Sequence, residues 1–477
     1  MMRVLVSDRP NDMLHEETVR YDGAAHAAPV AGEPLSGTVK NEGKSGKVRA
    51  VCRIDVDRTR RYQSMDGFGA SFTDSSAYLI DKVLEPQVRD RVMHDLFDPV
   101  DGIGLSALRN PMGASDYART VYSYDDMPIA SSDPQLQRFS IAHDLESILP
   151  LTRQAMLLNP DLKLMTSPWS APGWMKTSHS MRGGTLRRKY FPAYAQYFVR
   201  FIQEYATHGV PVYAVSVQNE PLYMPLHYPS MLMPASQEAE FVRDHLAPAF
   251  RDAGVRTKIL GYDHNWDCPE YADELLDKAP GCFDGIAWHW YAGSPEAQDD
   301  VMWRHPGTDM YFSEGSGGSW IPEFEPAFSN MMRMAIGALN HGAKTFILWN
   351  MALDEHNGPT VPGFGRSTCR GLLRVDTASR SCERTLDYYG LAHFSRFVRS
   401  GAVRIGSTVS AGGPPASDEH DGEVRSVAFE NADGSLACVL FNDSSQSISV
   451  QVSMMGELVE IPLTGHAACT VVWDRRN

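Results

Sequence analysis

Between residues 64 and 350, short apolar runs of strand character alternate with longer stretches of helical period. The runs begin at Gly67 (GFGASF), Leu105 (LSALRNP), Leu162 (LKLMTSP), Val212 (VYAVSVQNEP), Lys258 (KILGYD), Gly285 (GIAWHWY), Met310 (MYFSEG) and Thr345 (TFILWN). Between the third and fourth, residues 190–208 set Tyr190, Tyr194, Tyr197, Phe198, Phe201, Ile202 and Tyr205 on one helical face, and Gly209 with Pro211 supplies the stop. A further helix is predicted over 331–340, ending at His341 and Gly342. Eight strands alternating with helices predict a parallel sheet closed into a (β/α)8 TIM barrel, with an open doubly wound sheet as the lesser alternative.

The flanks carry a different pattern. Residues 35–63 and roughly 400–477 alternate like antiparallel strands, in VRSVAFE, the NADG turn at Asn431, LACVLFN, ISVQVSM and CTVVW. An accessory β-sandwich built from both chain ends follows. The predicted division is 1–63 for the N-terminal tail and its sandwich strands, 64–395 for the barrel and 396–477 for the C-terminal sandwich strands.

Composition adds exclusions. The 477 residues are 43% hydrophobic and 22% charged, ordinary globular values. A net charge of -15 leaves no basic excess for a phosphate backbone, so nucleic acid is not an expected partner. Cys52, Cys268, Cys282, Cys369, Cys382, Cys438 and Cys469 form no CxxC pair, which predicts neither a zinc site nor a disulfide framework. The N-terminus has a four-residue apolar core and no stretch approaches a membrane span. The chain as given is expected to be cytoplasmic, or secreted if a leader was trimmed.

Several motifs fail on inspection. NEGKS at Asn41 lacks the glycine of a phosphate loop, since Thr38 stands there, and GFGASF lacks the third glycine of a dinucleotide fingerprint. No HExxH occurs, and His264, His289 and His356 lie too far apart to suggest metal ligands. SEGSGG and FTDSSA fit no nucleophile elbow. Neither cofactor nor metal is expected.

What remains stands at the carboxyl ends of the strand runs, the face where such barrels hold their active sites. VSVQNEP is the clearest case: strand formers run into Gln218, Asn219 and Glu220, and Pro221 then forbids further ladder bonding. Glu314 ends the seventh run, 94 positions on (314 minus 220), and ends of strands four and seven face each other across a barrel. Two facing carboxyl groups about 5 to 5.5 Å apart are what retaining glycoside hydrolysis needs. Trp169, Trp174, Trp288, Trp290, Tyr291 and Trp349 cluster at the same ends as stacking surfaces for sugar faces, with Trp174 and Trp288 the expected packers. Asp74 and Asn219 can bond hydroxyls, and Arg109 can pair with Glu314.

DGFGASFTDSSA, LRNPMGASDY, SPWSAPGWMKT, VSVQNEP, WHWYAG, FSEGSGG, WNMALDEHNGP and YYGLAHFSRFVRSGAVRIGS, in this order from about residue 64 to 406, resemble glycoside hydrolase family 30, the family of glucosylceramidase. The resemblance implies retaining hydrolysis of β-glycosides without metal or cofactor, Glu220 as acid/base and Glu314 as nucleophile. It implies sugar-holding roles for Asp74, Trp169, Asn219 and Trp349, and places Arg109 and Tyr291 beside the nucleophile. FSEGSGG and the loop LYMPLHYPSM depart from the lysosomal enzyme, and VPGFGRSTCRGLL resembles bacterial members, some of which cleave β-1,6-glucan. The first expectation is an exo-acting β-glucosidase of glucosylceramidase type acting on a carbohydrate or glycoside. The alternatives are an endo-β-1,6-glucanase, a β-glycosidase for xylose, fucose, galactose or glucuronic acid, and a carbohydrate-binding protein without catalysis.

Overall fold

The computed structural model describes residues 2–8, 13–16, 21–22, 51–321, 324–412 and 424–474. The NEGKS segment and residues 35–50 of the predicted N-terminal strands lie outside the described residues. Two compact units are present, one from 62–403 and one from 1–61 with 404–477.

The larger unit is the barrel. Its strands are β1 (Gly67–Ser71), β2 (Ala107–Pro111), β3 (Lys163–Ser167), β4 (Val212–Ser216), β5 (Lys258–Asn265), β6 (Gly285–His289), β7 (Asp309–Glu314) and β8 (Ala343–Asp354). Each pairs in parallel with the next, and β8 pairs with both β7 and β1, so the sheet closes. All eight predicted runs are strands. Continuous burial explains their unbroken apolar sequences, since a strand covered on both faces has no polar side to show. Ala107, Met165, Ala214, Leu260, Ala287, Tyr311 and Ile347, one from each of β2 to β8, pack together as a layer inside the barrel.

Three boundaries differ from the sequence reading. β4 stops at Ser216, two residues before the alternation in VSVQ runs out, because the Asn219 amide donates to Pro168 O (2.9 Å) and the Glu220 amide to Asp263 O (3.0 Å). β8 continues past the barrel to Asp354, where it pairs with 371–376. The helix predicted over 331–340 runs from Phe324 to Asn340. The aromatic helix spans Phe191–Thr207, with its predicted face buried and Gly209 at φ +76° ending it. Among the described residues no helix is long and apolar enough to cross a membrane.

The smaller unit is the β-sandwich. Its strands, including 2–7, 51–64, 403–412 and five more between 424 and 473, form one continuous ten-strand order. Val4, Ile54, Ile405, Val450, Ile461 and Val471 come from strands spread along that order yet share one core, so the sheet doubles over itself into two layers. The NADG turn is a hairpin, with Gly434 at φ +83°. All seven cysteines are free thiols.

Two local devices fix the barrel rim. Gly69 of GFGASF serves close strand approach: a Cβ there would lie 1.7 Å from the Ala107 carbonyl oxygen. The irregular excursion between β2 and the helix Ile148–Leu158 is clamped by Asp74. Its Oδ2 accepts the Arg119 amide (2.7 Å) and Nε (3.1 Å), and its Oδ1 meets Arg119 Nη2 and His143 Nε2, both at 2.9 Å. Burial opposes the charge of Asp74, but the bonds from His143 and Arg119 outweigh it and hold the carboxyl down at about 2.

A Gly69→Ala chain should lose about 3 kcal/mol of stability through forced separation of β1 and β2, read as a lower denaturation midpoint at unchanged m-value. Asp74→Asn should cost roughly 2 kcal/mol at neutral pH. A depressed folded-state pKa contributes stability that is complete above the unfolded value near 4 and is lost as pH falls through about 2, so the variant and the parent should converge in acid unfolding curves.

Candidate active site

The carboxyl ends of the barrel strands meet around one buried carboxylate that belongs to β5. Tyr262 and Asp263 both adopt left-handed φ, +71° and +54°, and the register between β5 and β6 slips there, a bulge that turns the Asp263 side chain into the barrel. Its Oδ2 accepts Arg109 Nη2 from β2 (2.7 Å), Ser167 from β3 (2.7 Å) and Ser216 from β4. Its Oδ1 accepts Ser313 from β7 (2.6 Å) and meets His289 Nε2 of β6 (3.1 Å). Burial works against this charge, yet the Arg109 guanidinium and the His289 bond hold the carboxyl well below the usual range.

Arg109 carries this anchor to the mouth. Its Nη1 donates to Glu314 Oε2 (2.8 Å), and its Nη2 also donates to Asn219 Oδ1 (2.7 Å). The Tyr291 hydroxyl donates to the other Glu314 oxygen at 3.0 Å. Glu220 sits opposite, at φ +45°, a conformation that glycine tolerates and glutamate does not prefer; the two backbone bonds that end β4 hold it there. Its Oε1 lies 3.3 Å from His289 Nδ1. One oxygen of Glu220, one of Glu314 and a His289 nitrogen all fall within 4.8 Å of one another. Burial and then the Glu220 charge push Glu314 above its ordinary value, while the His289 bond and charge overcome burial at Glu220 and draw it down.

The same three groups could geometrically surround a cation. Burial lowers the His289 pKa, but the charge of Glu314 and the bonds to Asp263 and Glu220 lift it to about 9, so a cation would have to displace its proton. His264 lines the same wall without joining the trio, and His356 lies exposed beside Glu355.

The structure therefore gathers Arg109, Asn219, Glu220, Tyr291 and Glu314 into one bonded network. Trp169 and Trp349 stack on each other with ring centroids 4.7 Å apart and take the Arg109 guanidinium 5.0 and 5.8 Å from their rings. Trp174 and Trp288 are packing residues, as is Trp290, whose Nε1 donates to Ser316 O. Asp74 is a correction: its carboxylate is spent in the clamp on Arg119 and His143 and is absent from the network, so it has no free oxygen to offer a sugar.

Asp116, which the sequence reading passed over although LRNPMGASDY contains it, is instead within reach of the Glu314 and Glu220 charges. One Asp116 oxygen is sealed from water and unpartnered. Burial, then the charge of Glu314, lift its carboxyl to about 8, and the Trp349 side chain bonds it. Asp263 was missed too, and His289, which stands with Tyr291 at the end of the sixth run, was given no role. KILGYD reads as an ordinary strand tail, and only the bulge reveals the inward turn.

The description Glycosyl hydrolase family 30 TIM-barrel domain fits residues 65–398, and that family's beta sandwich domain fits 401–471. An endo-1,6-beta-D-glucanase of Neurospora crassa is 31% identical over 446 residues, covering 91% of this chain and 88% of its own. The putative glucosylceramidase 1 of Caenorhabditis elegans is 30% identical over 415 residues, covering 82% and 76%. A solved endo-beta1,6-glucanase superposes over the full length of both chains with a TM-score of 0.84 at 27% identity. A closed barrel followed by a sandwich, and likeness along nearly the whole length to hydrolases of one kind, place the chain in glycoside hydrolase family 30, as a glycoside hydrolase.

Proposed function

We propose that this chain is a retaining endo-acting β-1,6-glucanase, with Glu314 as nucleophile and Glu220 as acid/base. The observation that carries the mechanism is the pair of carboxylates with oxygens within 4.8 Å, the short spacing of double displacement rather than the wider one that admits a water between them. Arg109 and Tyr291 each bond one Glu314 oxygen, which orients it for attack on the anomeric carbon. Asn219 has its acceptor committed to Arg109, so what it offers a sugar is its NH2 group, suited to a hydroxyl beside the reacting carbon. Asp116, with its free oxygen and raised pKa, offers a further hydroxyl contact.

For substrate, the support comes from the endo-1,6-glucanases to which the chain is similar and from the mouth itself. Tyr223 follows Glu220 and Trp320 follows Glu314, both about half exposed. Exposed rings after both catalytic positions suit a chain that continues beyond the cleaved bond, since sugar faces stack on aromatic rings. The exo-acting glucosylceramidase reading draws on similarity to putative glucosylceramidase 1 and on the exposed apolar side chains of Leu222, Met224 and Leu226 in the same loop. A protein that only binds sugar would have no use for a glutamate so strained, paired at this distance with a second.

Glu314→Gln should abolish turnover for every leaving group. Glu220→Gln should lose about 10²- to 10⁴-fold on β-1,6-glucan but recover its first step on a 2,4-dinitrophenyl β-glucoside. Near-normal turnover of glucan by either variant, measured as new reducing ends, would sink the assignment. Chromatography of early products from β-1,6-glucan should show a spread of oligosaccharides; glucose alone, or faster release from glucosylceramide, would favour the exo reading.

A further inference from the structure

His289 is fully buried, and both ring nitrogens face carboxylate oxygens: Nε2 meets Asp263 Oδ1 at 3.1 Å, and Nδ1 meets Glu220 Oε1 at 3.3 Å and Glu314 Oε1 at 4.0 Å. Asp263 already accepts from Arg109 and three serines, which fixes it as an anion that can only accept. His289 Nε2 must therefore carry hydrogen. That leaves a single proton for the short gap between Nδ1 and Glu220, and it can rest on either side.

We infer that His289, anchored by Asp263, is the proton store of the reaction, lending Glu220 the proton that goes to the leaving oxygen and taking back the one removed from water. This rests on Glu220 being the acid/base. In the resting site the imidazolium faces a Glu220 carboxylate. As substrate is cleaved, the Nδ1–H bond breaks and the Glu220 carboxyl forms; that proton passes to the glycosidic oxygen while the C–O bond breaks and Glu314 bonds the anomeric carbon. In the second half Glu220 takes a proton from water as the water oxygen displaces Glu314, and the proton returns to Nδ1. Atoms and charge balance over the cycle, and His289 acts through Glu220.

The charge around the ring supports this. Glu220 from the end of β4, Asp263 of β5 and Glu314 of β7 face it, Arg109 of β2 is one bond away through Asp263 and Glu314, and the rings of His264 and Tyr291 stand edge-on at 6.3 and 6.1 Å. Three carboxylates against one guanidinium favour a second cation at the ring. The directions at the two partners agree: His289 is lifted to about 9 and Glu220 lies below its ordinary value.

The test compares parent and His289→Gln. In the parent, ¹⁵N-histidine NMR should show one imidazole doubly protonated at pH 7 that loses its proton near pH 9 and whose resonance moves in Glu314→Gln. A neutral ring at pH 7 overturns the inference, and this arm stands even if His289→Gln does not fold. In His289→Gln with an unchanged thermal midpoint, kcat/KM on β-1,6-glucan should fall about 100-fold, with a loss under about 10-fold on a 2,4-dinitrophenyl β-glucoside. The alkaline limb of its pH profile should move acidward by about one unit or more. A purely structural histidine would leave that limb where it is, which overturns the proposal while parent activity still depends on Glu220 and Glu314. Loss of that dependence would instead overturn the underlying assignment.

Discussion

The structure turns on the buried ion pair between Asp263 and Arg109, both sealed from solvent, with 2.7 Å between Oδ2 and Nη2. Two charges taken out of water cost several kcal/mol each, and their attraction offsets this only where further hydrogen bonds satisfy what remains. Here the remainder is satisfied by the barrel itself. Ser167, Ser216, His289 and Ser313 bring one donor each from β3, β4, β6 and β7. Six of the eight strands thus agree on the position of one carboxylate, so their registers cannot slip independently at the catalytic end. A hydrophobic replacement would pack more cheaply, but would leave Glu314 and Asn219 with no guanidinium to orient them.

The same arrangement shows how strain is maintained where chemistry is proposed. Glu220, Tyr262 and Asp263 all hold positive φ, each at a cost on the order of 1 kcal/mol or more. The Glu220 amide donates to the Asp263 carbonyl, so the two strained segments support each other. Without that bond nothing would hold Glu220 at its positive φ, and the chain after Ser216 could continue the β4 ladder.

Much of the fold was legible because it is written locally. The eight strand runs and the helix over 191–207 follow from continuous apolarity and from a period of 3.6, and each needs only its own residues. Glu220 and Glu314 were legible because one closely follows a strand, the other ends one, and strand ends converge. Asp74 and Asp116 could not be told apart this way. Both follow a barrel strand, and what separates them is that Arg119 and His143, 45 and 69 positions from Asp74, fold back onto one and not the other. Asp263 was hidden for a related reason: a bulge is a relation between two strands, and β5 alone looks regular.

The division between strand ends and loops also bears on how one centre can serve different glycosides. The groups proposed to meet the cleaved sugar stand at or just past the ends of strands tied to Asp263, so they tolerate little change. The wall beyond them is made of loops that hold one another: His227 and Tyr228 pack on Phe364, Arg182 donates to the Pro362 carbonyl, and the buried Lys176 ammonium ties Ser170, Met181 and Ser230 together. None of these contacts reaches Asp263. Tyr228 packs on the Trp169–Trp349 pair, so substitutions in this wall would reshape the proposed leaving-group side and reach the charged network only through those rings. Similarity to both endo-1,6-glucanases and glucosylceramidases is then what such a construction should produce, and the residues that separate the two activities should be sought among Leu222 to Tyr228 and 361–367 rather than at the strand ends.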